Sequence, residues 1–384
     1  MKRKVFLIAI ILSALGGILS AQHPVKPKVS EQSWRVLARA QVAFDRADYG
    51  EAIALCGEAR KSRGRELKWN SYVMQNTLSS PEVKRKGPFI SDLIPVLKDR
   101  EDFEALEIIN AWMDKRGADY FDNSLPKLFE YLKRLNDYPE CDFLLAKIYR
   151  LEGEYDLAMQ FLKNAMAQTD LLDVPAQKYD IYYEAADLAK VIGNQNEWES
   201  YLLLVVANDG LYKDDASKRA MVRAVQLKRK DLVNYFFMLH RYSAVNSIRA
   251  YFELGQFYKG QKKNRDYWNM TADGVVCAFT WTLEILRDRN PEYSFKDLDG
   301  FFYECGRYED VLAWANKNGV WKGFYEMAQS AIQNGWINFG TNLLQTMASS
   351  CPDKYWAAAA KKAVLDYAAD KEPAKESAGQ DSAQ

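Results

Sequence analysis

Apolar residues recur every three or four positions between residues 33 and 371, the spacing that places side chains on one face of an α-helix. Alternating apolar and polar residues joined by hairpin turns, the pattern of paired strands, are missing from this stretch. Asn208-Asp209-Gly210 is an isolated turn signal. The pattern therefore predicts an all-α fold.

The first 21 residues have the pattern of a secretory signal peptide. They begin with Lys2, Arg3 and Lys4, continue with the apolar run Val5–Leu19 and end on small residues at Ala21. As a helix this run measures roughly 22 Å, short of the ~30 Å hydrocarbon core of a bilayer. We therefore predict cleavage of residues 1–21, with an uncleaved anchor as the alternative.

Two short polar segments flank the helical stretch. Residues 22–32 are predicted to be a mobile lead, and residues 372–384 a disordered tail. No later segment is apolar enough to span a bilayer, so no membrane insertion is expected after signal cleavage. We expect a protein that is secreted across the inner membrane and is periplasmic or extracellular.

One segment, Asp142–Gln168, carries eight residues in the order typical of a helix hairpin. They are Leu145, Ala146, Tyr149, Gly153, Tyr155, Ala158, Leu162 and Ala165. The alanines at positions 146 and 158 allow two helices to approach closely, and Gly153 opens the turn between them. This order resembles the tetratricopeptide repeat, a family in which pairs of antiparallel helices stack into a superhelix.

Parts of the same pattern recur along the chain. Partial matches lie around Ala40, Ala52, Ala186, Gly193, Leu254, Gly255, Ala328 and Gly335. Asp266–Arg289 is longer than a normal second helix, which predicts irregular hairpins there, and Ala357–Ala368 is predicted to be a capping helix. The resemblance implies an α-solenoid of TPR-like antiparallel helix hairpins over residues 33–371, irregular in the middle, with a C-terminal capping helix. An irregular all-α domain outside this family is the alternative.

Composition and charge exclude several function classes. Hydrophobic residues make up 48% and charged residues 27%, as in an ordinary globular chain. Lys and Arg total 52, and Asp and Glu also total 52. There is no basic excess to attract a phosphate backbone, so nucleic acid is not expected as a partner.

Residues that would mark a cofactor, a metal site or a catalyst are sparse. His23 and His240 are the only histidines, and no phosphate-binding glycine loop, zinc motif or nucleophile elbow is present. We therefore expect no cofactor, no metal site and no enzyme activity. The five cysteines lie far apart in the chain and are expected to be mostly buried, although one bridge remains open.

The resemblance also implies where a partner binds. In tetratricopeptide stacks the first helix of each repeat lines a concave groove that receives a peptide, and matching offsets in three repeats identify the corresponding positions here. They are Glu140, Phe143, Lys147, Arg150, Arg249, Phe252, Gln256, Lys259, Lys322, Tyr325 and Gln329. Phe143 and Phe252 occupy the lysine slot of the peptide-carboxylate clamp of some family members, so that specificity is not implied.

The sequence therefore favours an exported, non-enzymatic scaffold or adaptor that binds a protein or peptide segment in a groove. The alternative is a small-ligand or transport-associated binding protein, favoured if Asp266–Arg289 helps to enclose an apolar pocket. A helical-repeat enzyme would need a cluster of carboxylates in a central cavity.

Overall fold

The computed structural model describes residues 24–85, 90–117, 125–134, 136–227, 229, 231–232, 235 and 245–369. Within these residues the chain forms nineteen α-helices and three short 3-10 helices, with no β-strand. The prediction of an all-α fold is confirmed. The predicted signal peptide and tail lie outside the described residues, and the predicted lead is described from residue 24 onward, with a 3-10 turn at Val29–Glu31.

The chain divides into two compact units, with unit 1 ending at Ile181 and unit 2 beginning at Tyr182. The described residues of unit 1 form eight complete helices. These are α1 (Ser33–Asp45), α2 (Tyr49–Leu78), α3 (Pro81–Arg85), α4 (Ile90–Asp99), α5 (Phe103–Arg116), α6 (Pro126–Lys133), α7 (Pro139–Leu151) and α8 (Tyr155–Ala167). Nothing in the sequence pattern indicates the division after residue 181.

Helix α9 (Lys178–Ile192) begins just before the division, and unit 2 contains the remaining ten helices. These are α10 (Gln195–Val206), α11 (Gly210–Lys213), α12 (Asp215–Gln226), α13 (Ser247–Gly260), α14 (Asn264–Arg289), α15 (Leu298–Arg307), α16 (Glu309–Lys317), α17 (Val320–Gln333), α18 (Ile337–Ser350) and α19 (Lys354–Ala369). At 26 residues, α14 is the long helix expected in the middle of the chain. The predicted final helix is present as α19, and it contacts α17 and α18.

The 30-residue helix α2 organises the core of unit 1. Its first half packs with α1 and α7 around Cys56, Ala59 and Cys141, while its second half packs with α4, α5 and α6 around Leu67 and Met74. Apolar side chains recur along one face of α2, so that both clusters form on the same helix.

Aromatic side chains fill a large part of the core of unit 2. Phe301, Phe302 and Trp321 are almost fully buried, and Phe324 and Phe279 pack beside them from α17 and α14. The ring centroids of Phe279 and Phe301 are 4.7 Å apart, and those of Phe302 and Phe324 are 5.4 Å apart. These contacts join α14, α15 and α17 through rings in tilted and edge-to-face geometry.

Among the described residues, six helix pairs are joined by the same tight turn. One residue has a positive φ, and the next amide donates to the carbonyl five positions earlier, the Schellman arrangement of a helix C-terminus. In these six turns, the residues with positive φ are Ala47, Glu101, Gly153, Gly193, Lys262 and Gly335. At Gly153 φ is 82°, which confirms the turn predicted there. In three turns the following residue (Asp48, Asp102 or Asn194) caps the second helix by accepting from a backbone amide.

Small residues allow paired helices to approach closely. Ala146 and Ala158, the small positions predicted in α7 and α8, are both fully buried. A Cβ atom on Gly340 of α18 would lie 2.6 Å from the carbonyl oxygen of Ala328 in α17. The backbones of α17 and α18 are therefore too close for a larger side chain.

Replacing Gly340 with valine is expected to destabilise unit 2 by about 1–3 kcal/mol, because the new side chain must push α17 and α18 apart. The matched control is Gly260→Val at the exposed end of α13, where a Cβ atom meets nothing within 4 Å. Calorimetry of the two variants should show a lower unfolding midpoint for Gly340→Val alone. Equal midpoints would contradict this close packing.

Candidate functional site

The eleven predicted partner-binding residues fall into two sets, one in each unit. Helix α7 of unit 1 carries four of them: Glu140, Phe143, Lys147 and Arg150. Helices α13 and α17 of unit 2 carry the other seven: Arg249, Phe252, Gln256, Lys259, Lys322, Tyr325 and Gln329.

In unit 2, four of the predicted residues line one open groove with a volume of 550 Å³. We call it the lysine groove. Its lining comes from α9, α10, α13, the end of α16, the start of α17 and the turn between these two helices. It consists of Lys190, Trp198, Ile248, Arg249, Phe252, Glu253, Gln256, Lys317, Asn318, Gly319 and Lys322. Residues selected by repeat offsets on two helices far apart in the chain therefore share one surface.

The floor of the lysine groove is apolar, and Phe252 lies in a slot formed by glycines. A Cβ atom on Gly323 would lie 2.4 Å from Cζ of Phe252, and one on Gly274 would lie 2.8 Å from its Cε1. Side chains at these two positions would occupy the space of the Phe252 ring, so the glycines allow the ring to lie deep in the floor of the groove. Ile248, 2% exposed, and the half-buried Trp198 extend the floor.

The carboxylate of Glu253, which lines the groove, already accepts hydrogen bonds from neighbouring side chains. Nε of Arg249 donates to Glu253 at 2.7 Å, and Nε1 of Trp198 donates to the other oxygen of Glu253 at 3.4 Å. Arg249 also pairs with Asp187, and its guanidinium carbon lies 4.6 Å from the ring centroid of Tyr183. Arg249 is therefore shared between the carboxylates of Glu253 and Asp187 within unit 2.

The three lysines of the groove differ from Arg249. In the described part of the chain, neither Lys190, Lys317 nor Lys322 forms an ion pair with a carboxylate. All three are exposed, and the ammonium of Lys190 lies 4.8 Å from the ring centroid of Trp198. The groove consequently combines an apolar floor with a positively charged rim.

The other three predicted residues of unit 2 lie outside the lining of the groove and take part in contacts within the unit. Lys259 pairs with Glu326 at 2.8 Å, and Tyr267 donates to the same carboxylate. Burial acts to raise the pKa of Glu326, but the hydrogen bonds from Lys259, Tyr267 and Gln256 and the charge of Lys259 together outweigh it and lower the pKa. Tyr325 packs on Trp356 of α19 with centroids 5.4 Å apart, and Gln329 hydrogen-bonds to Tyr325.

In unit 1, Glu140, Phe143 and Lys147 line a cavity of 240 Å³ together with Trp34 and Tyr138. Phe143 is only 3% exposed, and the ammonium of Lys147 lies 4.0 Å from its ring centroid. Any contact of Phe143 with a partner is therefore restricted to the small part of its ring that faces the cavity. Arg150 lies on the same helix but does not line this cavity.

A buried charge network, which we call the Arg63 network, lies next to this cavity. Arg63 donates to Asp173 at 2.9 Å and to the hydroxyl of Tyr131 at 2.7 Å. Lys115 pairs with the same oxygen of Asp173 at 2.5 Å, and the backbone amide of Asp173 donates to Glu140. These bonds tie α2, α5, α6 and α7 to the loop before α9.

Burial and the charge of Asp173 raise the pKa of Glu140 to about 7. Burial also acts to raise the pKa of Asp173, but the charges of Arg63 and Lys115 outweigh it and lower that pKa. No sequence motif marked Arg63, Lys115 or Asp173 as members of a site. The sequence contains one indication that Arg63 is buried, because Arg63 lies between the core residues Ala59 and Leu67 on the apolar face of α2.

A second cavity in unit 2 has a volume of 790 Å³. It is lined in part by the segment Asp266–Arg289, which the small-ligand alternative requires to enclose a pocket. Its charged lining residues are Lys213, Asp215, Lys218, Arg219, Arg265, Asp266 and Asp273. Lys218 pairs with the buried Asp273 at 3.1 Å, and burial raises the pKa of Asp273 to about 6. Charged and apolar side chains therefore both line this cavity, whereas the alternative function requires an apolar pocket.

The described residues contain no group of three or more His, Cys, Asp and Glu side chains that could hold a metal ion. Both histidines lie outside the described residues. The expectation that the cysteines are mostly buried is confirmed, since Cys351 alone is partly exposed. The Sγ atom of Cys141 lies 3.7 Å from the carbonyl oxygen of Cys56, which brings these two cysteines together between α7 and α2. None of the described helices is both long and apolar enough to cross a membrane.

Comparison with known proteins finds a relative that is similar over most of the chain. No protein-family model matches the chain. An uncharacterized protein of Treponema pallidum (strain Nichols) is 28% identical over 348 residues, which covers 90% of this chain and 92% of that protein. The similarity therefore extends over both units.

Proposed function

We propose that this chain is a non-enzymatic scaffold or adaptor of the tetratricopeptide type, exported to the periplasm or the extracellular space. Its helix hairpins stack as an α-solenoid, and the lysine groove of unit 2 holds a segment of a partner protein. The six Schellman turns support the repeat arrangement, because each returns a second helix against the first with the same local geometry.

The single observation that supports this function most strongly is the composition of the lysine groove. Arg249, Phe252 and Gln256 on α13 and Lys322 on α17 are the positions that a tetratricopeptide stack turns toward a bound peptide, and all four line the groove. The groove offers a partly buried aromatic floor with polar groups around it, the arrangement in which an anchor side chain contributes most to affinity.

Site-specific photo-crosslinking in cells that naturally produce the protein tests the proposal. A benzophenone amino acid at position 256 is expected to crosslink a defined segment of one partner protein. The matched control carries the same group in place of Gln345, an exposed glutamine on α18 outside the groove. Equal crosslinking from both positions, or none from position 256, would count against a peptide-binding groove.

The alternative function is a small-ligand or transport-associated binding protein. The 790 Å³ cavity beside α14 favours a ligand with both polar and apolar groups for this function, because charged and apolar side chains line the cavity and Asp273 is buried within its lining. Native mass spectrometry of the protein purified from its own cells tests this alternative. A stoichiometric small molecule that is lost on Asp273→Asn substitution would support it.

A further inference from the structure

We infer that the partner segment held in the lysine groove is acidic and carries an apolar anchor side chain. This inference rests on the proposed function and deepens it by stating the chemistry of the partner. It follows from the charges around the groove and from the shape of its floor.

Charge complementarity is the first argument. Among the described residues, the lining of the groove contains four cations and one carboxylate, Glu253, which accepts hydrogen bonds from Arg249 and Trp198, while Arg249 also pairs with Asp187 next to the groove. Lys190, Lys317 and Lys322 are left without an ion pair among the described residues. Since the whole chain carries equal numbers of acidic and basic residues, this positive rim is a local feature.

The start of α17 adds to the same positive potential. Gly319 is the N-cap residue of this 14-residue helix, with φ of 67°, and no side chain caps the first turn. The helix dipole therefore contributes a partial positive charge beside Lys317 and Lys322.

The apolar floor is the second argument. Phe252 is held at a set depth by Gly274 and Gly323, and Trp198 and Ile248 lie next to it. A purely ionic partner would leave this floor in contact with water. A segment that places one apolar side chain on Phe252 and carboxylates over the lysines satisfies both parts of the groove.

This recognition differs from the peptide-carboxylate clamp of tetratricopeptide proteins. Phe252 occupies the slot of the clamp lysine, and Lys190 and Lys317 lie on other helices near the rim. The lysines therefore suit acidic side chains along an internal segment, and no free C-terminal carboxylate is required.

Fluorescence anisotropy of the full chain with synthetic peptides tests the inference. The probe is a fluorescein-labelled Glu-Asp-Phe-Glu-Asp-Leu-Glu-Asp peptide with an amidated C-terminus. Two comparison peptides replace either all acidic residues by lysine or both apolar residues by serine. We expect measurable binding of the probe that weakens with salt, weaker binding of the serine peptide and no binding of the lysine peptide.

The decisive variant is Lys317→Glu/Lys322→Glu, and its matched control is Lys361→Glu/Lys362→Glu on exposed positions of α19. Both variants change the net charge equally, and all four substituted side chains are solvent-exposed. We expect the groove variant to lose on the order of tenfold in affinity for the probe and the control to bind like the wild type. Equal losses in both variants, or equal binding of the acidic and lysine peptides, would overturn the inference.

The crosslinking experiment separates failure of this inference from failure of the proposed function. A segment captured from position 256 that is neutral or basic would overturn the acidic partner and leave the adaptor function intact. Absence of any groove-specific crosslink would overturn both. Competition for the probe by a single-stranded oligonucleotide as strong as competition by unlabelled probe would show a general anion site instead of an acidic-peptide site.

Discussion

Replacing Asp173 with alanine is expected to lower the free energy of unfolding of unit 1 by about 3–5 kcal/mol. The substitution removes the shared partner of Arg63 and Lys115, whose side chains are only 9% and 28% exposed. Two positive charges are then left next to each other in a poorly solvated region. Hydrogen exchange of peptides from α2 and α7, measured with increasing urea, reports this loss for unit 1 separately from unit 2.

The control for this prediction is Asp170→Ala. Asp170 lies in the same segment and pairs with Arg134 at 3.2 Å, but its side chain is 44% exposed. An exposed pair of this kind contributes about 0–1 kcal/mol, so the control is expected to resemble the wild type. A similar small effect for both variants would mean that the Arg63 network contributes little to folding.

Glu140 is expected to make unit 1 less stable as the pH rises from about 4.5 to about 7. Its pKa is about 7 in the folded protein, against an ordinary value of 4.5. Burial is the larger cause of this increase, and the charge of Asp173 is the second. In this window the folded state keeps a proton that the unfolded state has released, so the free energy of unfolding falls with pH. The full loss is on the order of 3 kcal/mol.

Glu140→Gln tests this dependence, because glutamine is neutral at every pH and keeps the acceptor for the amide of Asp173. The variant is expected to be more stable than the wild type at pH 8 and similar to it at pH 5. The lowered pKa of Asp173 acts below this window, where stability is lost as the pH falls through that pKa. Urea unfolding at both pH values, read from hydrogen exchange of unit 1 peptides, checks the prediction.

The exposed Glu152→Gln at the end of α7 serves as the matched control and is expected to change stability by less than about 0.5 kcal/mol at either pH. Asp273 in unit 2 titrates in the same range, with a pKa of about 6, so the readout must be confined to unit 1. Parallel pH dependence of the wild type and Glu140→Gln would assign the effect to another group.

Several local features could be predicted from the sequence because they depend on neighbouring residues. Gly153 marks a turn, since glycine adopts a positive φ at little cost. Ala47, Glu101 and Lys262 make the same turn without glycine, and no residue type at these positions signals it. Hairpins closed by glycine were therefore easier to recognise than those closed by other residues.

The repeat offsets selected four residues that line the lysine groove of unit 2: Arg249, Phe252, Gln256 and Lys322. Their role in binding a partner stays a prediction. The offsets did not identify Lys190 or Lys317, which reach the groove from the ends of α9 and α16. Their contribution depends on how hairpins of different lengths pack together.

The sequence by itself determined the helical fold and the hairpin turns closed by glycine, because helix periodicity, capping and turn chemistry act between residues a few positions apart. Only the tertiary structure decided which charges are neutralised. Arg63 meets Asp173 across 110 residues, while Lys317 and Lys322 are left facing an apolar floor. Burial and charge pairing depend on every element that surrounds a side chain, so no local pattern specifies them.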